Sequence, residues 1–132
     1  MRILVTAAWV AIGLASPAAA ETWRASSSTD EAAGFIDVES IRREGDRASF
    51  WREIRWPEVR SMSDGRRYDR IAAHYEADCR GRTLQLTAFR VKLGAAQVLS
   101  HDGRGELEAV GPGTAADTDL RAACFDQWPS GG

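Results

Sequence analysis

The chain has 132 residues, 17 basic and 19 acidic side chains and a net charge of -2, the size of one domain and too short for two. Its arginines alternate with acids instead of forming a patch, which in a net-acidic chain excludes a nucleic-acid-binding role. No GxSxG, HExxH, P-loop or GxGxxG sequence occurs, so the common catalytic signatures are missing as well.

The first stretch, MRILVTAAWVAIGLASPAAA, has Arg2, an apolar run from Ile3 to Leu14, a break at Pro17 and small residues at Ala18 and Ala20. This is the layout of a cleaved secretory signal ending at Ala20, since the run is shorter than the roughly 20 residues that span a bilayer. No cysteine at the expected cut carries a lipid, so a soluble product of residues 21–132, without a transmembrane segment, is expected. The segment holds one basic residue and no acid. Its removal therefore leaves 16 basic and 19 acidic side chains.

The mature region opens with a short strand at Trp23, then a polar loop over Ser26 to Glu31 and a strand from Gly34 to Val38. Glu39 to Arg43 turns the chain. Glu44-Gly45-Asp46 reads as a hairpin connection into a strand from Ala48 to Trp56. On that strand Phe50, Ile54 and Trp56 share a side with Arg52, opposite Trp51, Glu53 and Arg55. Burying the Phe50 side leaves Trp51 either packed on a neighbouring strand or part of an exposed aromatic patch. Pro57 is expected to end the strand, and Glu58 to Arg67 to form a mobile, solvated loop.

Tyr68 to Cys79 alternates with period two, with Ile71, Ala73, Tyr75, Ala77 and Cys79 inward and Tyr68, Arg70, His74, Glu76 and Asp78 outward. Arg80-Gly81-Arg82 joins it to an antiparallel partner from Thr83 to Val91. A short strand at Gln97 to Ser100, a loop at 101–105 and an extended piece at Glu106 to Val110 follow. Beyond Gly111-Pro112-Gly113, Thr114 is a helix N-cap, with Leu120, Ala123, Cys124, Gln127 and Trp128 on one face. So short a helix needs tertiary support, and the sheet face that Cys79 points to can supply it.

Two cysteines in an exported chain point to one disulfide, Cys79 to Cys124, ahead of two buried thiols or a metal site that lacks any CxxC spacing. The fold expected is α+β, an antiparallel meander sheet of about five to six strands with one disulfide-tied C-terminal helix on one face.

Catalytic residues are not expected. His74 reads as a solvated surface histidine, and about 13 Å of strand separates it from Asp78, too far to share a metal. Glu76 and Asp78, about 7 Å apart on one face, match a glycosidase pair no better than any i, i+2 acids do. No cofactor or metal is implied. Trp51, Tyr68 and Arg70, aromatic and arginine residues outside the expected core, are the candidate partner-binding residues.

The chain resembles the surface-adhesin protein E family. The matching pieces are Asp37 with Ser40-Ile41-Arg42, Gly45, Trp51, Tyr68, YEADC at 75–79, Arg80, Arg82, Gly94, Pro112-Gly113-Thr114 and Cys124, over about Thr22 to Phe125. The resemblance implies a sheet with a disulfide-tied helix, adhesion to a host or envelope protein, self-association as a homodimer, and a periplasmic or cell-surface address. Unlike the adhesin pattern, this chain has no lipid-bearing cysteine at the cleavage site. The other reading is a periplasmic structural protein without adhesin activity.

Overall fold

The computed structural model describes residues 21–130, so the expected signal segment lies outside the described residues. Eight strands and one helix follow in order: β1 (Trp23–Ser28), β2 (Ala33–Asp37), β3 (Arg42–Glu44), β4 (Arg47–Ser61), β5 (Arg67–Asp78), β6 (Thr83–Leu93), β7 (Ala96–Asp102), β8 (Leu107–Ala109) and α1 (Ala115–Phe125). The sheet runs β1-β2-β4-β5-β6-β7, an antiparallel meander of six strands as expected. Two strands of three residues extend it, β3 on the start of β4 and β8 on the start of β6. Gly45, at φ 58°, makes the β3–β4 reversal that the sequence signals.

Three stretches differ from the sequence reading. The polar run at Ser26 belongs to β1, where Ser26 and Ser27 are buried and the Ser27 hydroxyl donates to a buried carboxylate of the helix. Pro57 does not end its strand. β4 continues to Ser61, and its pairing with β5 shifts between Arg55 and Arg60, so the proline lies in an irregularity where a missing N–H costs no ladder bond. Instead of a loose loop, the chain then forms an ordered turn, with the Met62 N–H donating to the Arg66 carbonyl at 2.7 Å and the Gly65 N–H to the Met62 carbonyl at 3.0 Å.

The core lies between one sheet face and α1. Phe50, Ile36 and Leu120 are fully buried, and Phe50 stacks on Tyr75 with ring centroids 5.9 Å apart. Ala48 and Ala77 on the sheet meet Ala122 and Ala123 on the helix, and side chains this small allow a close approach. Gly34 is required by crowding: a Cβ there would lie 2.2 Å from the Ser27 carbonyl oxygen of β1.

Three devices fix the helix. At its start Thr114 accepts from the Asp117 N–H, and Asp117 bonds Arg82 at 2.5 Å and Arg121 at 3.2 Å. Midway, buried Asp119 takes Arg52 of β4 at 2.6 Å and the Ser27 hydroxyl at 3.1 Å. Burial raises the pKa of Asp119, and Arg52 and the serines oppose the rise. At the end, Arg43 of β3 donates to the carbonyls of Ala123 (2.6 Å) and Ala122 (3.2 Å), supplying at the negative end of the helix dipole a cation its own last turn lacks. The Cys79–Cys124 disulfide, with Cα atoms 5.7 Å apart, joins the same end to β5. The helix stops at Phe125, one residue before the left-handed Asp126. Gln127, expected on the apolar face, is therefore beyond it and exposed, while Trp128 packs under the Arg24 guanidinium at 4.3 Å.

Two outcomes follow from these anchors. With the cysteines 45 positions apart in sequence, replacing both by serine should lower unfolding stability by about 4 kcal/mol in urea titrations. Arg82 first, then the Gly113 N–H, hold the Asp117 carboxyl down to about 2, below its unfolded value, so its ionised form stabilises the fold. That contribution is present above about pH 4 and is lost as pH falls toward 2. Asp117→Asn should flatten this part of the acid denaturation curve followed by circular dichroism.

Candidate functional site

The face of the sheet away from α1 is concave. In a flat sheet β1 and β7, at opposite edges, would lie about 24 Å apart at the usual strand spacing. Yet Trp23 of β1 and Gln97 of β7 line the same cavity of about 360 Å³, together with Trp51, Ala72, Arg90 and Lys92. The sheet is therefore curled into a trough, and inward-facing residues of β4, β5 and β6 form its floor.

The strand registers place the charges. Glu53 of β4 lies opposite Ala72, whose small side chain leaves the carboxylate room, and both are buried. One step along, Arg55 faces Arg70, and Arg70 in turn faces Lys92 of β6. Three cations thus surround one carboxylate, with Arg55 Nε at 2.7 Å, Lys92 Nζ at 3.3 Å and Arg70 at 3.5 Å from Glu53. Asp69 takes part of the Arg70 charge at 3.3 Å. The Arg55 guanidinium also lies 4.3 Å from the Phe35 ring centroid and 5.6 Å from that of Trp23, so aromatic faces and cations alternate around the buried acid.

Trp51 sits one cross-strand pair farther along, opposite His74, with ring centroids 5.2 Å apart. On β6 the Arg90 guanidinium lies 5.5 Å from the Trp51 ring centroid. Arg90 is itself steered by Asp102 at 2.8 Å and by the Phe89 and His101 carbonyls. His74 Nδ1 is 2.5 Å from the Thr87 hydroxyl oxygen, which also lies 3.3 Å from the His74 carbonyl. Burial pushes the histidine pKa down against the pull of Glu76 and favours the neutral ring. His74 is therefore a half-buried spacer, not the solvated surface residue expected from the sequence.

Of the residues singled out in the sequence, Trp51 and Arg70 share the trough. Tyr68 is separate: it packs edge-on against Trp56, centroids 5.7 Å apart, beneath Arg60. Glu76 and Asp78 do not act as a pair. Arg104 holds both Glu76 oxygens, at 2.7 and 3.1 Å, and lowers its pKa, while Asp78 accepts the Gly81 N–H at 2.8 Å in a turn. His101 packs on Phe89. Among the described residues no group of three or more His, Cys, Asp or Glu could hold a metal ion. Sequence reasoning missed Trp23, Glu53, Arg90 and Lys92. The available signal was Glu53 between Trp51 and Arg55 on one side of a confident strand.

A curled antiparallel meander with one disulfide-tied helix on its convex face defines a small antiparallel-sheet domain. The model of the family described as surface-adhesin protein E matches residues 23–125, and the chain belongs to that family. It is similar in fold to Haemophilus influenzae protein E. The second crystal form gives a TM-score of 0.57 at 13% identity, covering 70% of this chain and 80% of the other. Protein E from non-typeable Haemophilus influenzae gives 0.55 at 12% identity, covering 76% and 74%. No curated protein matches the chain.

Glu53 is the residue on which the trough depends. Glu53→Gln should leave three cations without their counter-charge and lower stability by about 3 kcal/mol, read from chemical denaturation. Exposed Asp102→Asn should change it by less than about 1 kcal/mol.

Proposed function

We propose that this chain is an exported, non-catalytic binding module whose trough, around Trp51 and Arg70, contacts a protein partner in adhesion. The partner suited to this face is a host or envelope protein, or a second copy of the chain. One observation carries the reading: Trp51 and Arg70 are half-buried and already held, Trp51 between His74 and Arg90, Arg70 by Glu53 and Asp69. Side chains fixed in advance lose little entropy on binding, and Trp and Arg are the types that dominate interface energetics. The family's description as a surface adhesin supports the same role and an address at the cell surface. Tyr68, on Trp56, would serve as a flanking contact at the start of β5.

With the purified chain immobilised, capture of its partner from host-matrix or envelope extracts should fall at least about tenfold for Trp51→Ala, a typical hot-spot loss. Arg70→Lys, which keeps the charge near Glu53, should weaken capture by less. Undiminished capture by a folded double variant refutes the contact surface. Added protease should digest the chain on intact cells, whereas protection would place it in the periplasm and remove the adhesin role.

A further inference from the structure

The trough cavity carries a ligand chemistry of its own. Its Trp51 indole N–H and Gln97 amide have no hydrogen-bond partner among the described residues, although Trp51 is half-buried. Lys92, 19% exposed, gives Glu53 one bond of 3.3 Å, so one of its three ammonium protons is engaged and the others remain. The residues of β4, β6 and β7 that carry these donors thus line one recess. Glu21 and Asp37 also line it, Glu21 accepting the Trp23 indole N–H and buried Asp37 the Thr22 and Glu39 N–H groups, and their carboxylates repel a polyanion. The recess, of about 360 Å³, lies at the small end of ligand-binding cavities.

An indole edge, uncommitted donors, lining carboxylates and a partly free ammonium beside the Asp102-paired Arg90 match a hydroxyl-rich ring with a single carboxylate. We infer that the trough of this chain binds a terminal acidic sugar, of the uronic or sialic acid class, through Trp51, Lys92 and Gln97. The ring would lie at the edge of the indole, whose ring His74 and Arg90 already approach, with its carboxylate on the Lys92 ammonium and its hydroxyls toward Gln97 and Glu21. This inference rests on the concave face being the contact surface, and places a glycan of the partner, rather than its polypeptide, in the recess.

The test is a titration of the folded, ¹⁵N-labelled chain of residues 21–132 with sodium glucuronate, with N-acetylneuraminate and with neutral glucose, following the indole N–H signals of Trp51 and Trp23. At least one acidic sugar should give saturable shifts at Trp51, and glucose should bind several-fold more weakly. Gln97→Ala, at an exposed position, should weaken the acidic sugar several-fold without altering thermal stability. Absent shifts, equal binding of glucose, or an unchanged Gln97→Ala titration overturn the inference. Partner capture measured in parallel separates the two ideas: capture that needs Trp51 but resists glycosidase treatment and sugar competition retains the contact face and rejects the glycan.

Discussion

Two neighbouring residues of β4 hold the molecule together by opposite charges on opposite faces. Arg52 points toward α1 and meets Asp119, buried between helix and sheet. Glu53 points into the trough and meets Arg55, Arg70 and Lys92. In a domain this small the apolar core is modest, and buried charges without partners would cost more than the fold can spare. Each pairing therefore also fixes geometry: Asp119 sets where the helix lies, and Glu53 sets how three strands approach around one point. Pairs of this kind specify arrangement more than they add net stability.

The meander, the Thr114 cap, the apolar face of β5 and the Cys79–Cys124 bridge were all legible in the sequence, because each rests on a local pattern or a simple count. The trough was not. Period-two alternation places Trp51, Glu53 and Arg55 on one side, but charged residues on a strand face are ordinarily solvated, and only the curl turns that side inward. The serines of β1 were misjudged for a related reason. Ser27 lies in the irregular stretch of the β1–β2 pairing and has a carboxylate partner 92 residues away, and neither leaves a mark in the neighbouring sequence. Pro57 misled because the rule against proline in strands assumes a regular ladder, and the ladder is irregular there.

The division of labour between the two faces explains how the fold can carry a binding role. The α1 face holds the small-residue core, the disulfide and the helix clamps, so the trough is free to be built from arginine, lysine and tryptophan. Its side chains are polar yet ordered, since each cation has an assigned acid or aromatic neighbour. At 12–13% identity to the solved protein E chains, what this chain shares with them is the fold. The composition of the trough is therefore argued from this chain's own residues.

The clamps on α1 also bear on how the domain opens. Ordinarily a C-terminal helix of 11 residues is the first element to fray and detach. Here its start is tied to the β5–β6 connection through Arg82, its middle to β4 and β1, and its end to β3 and β5. Releasing it means breaking its ties to β1, β3, β4 and the β5–β6 connection at once. A helix clamped in this way should exchange its amide hydrogens together with the sheet and not ahead of it.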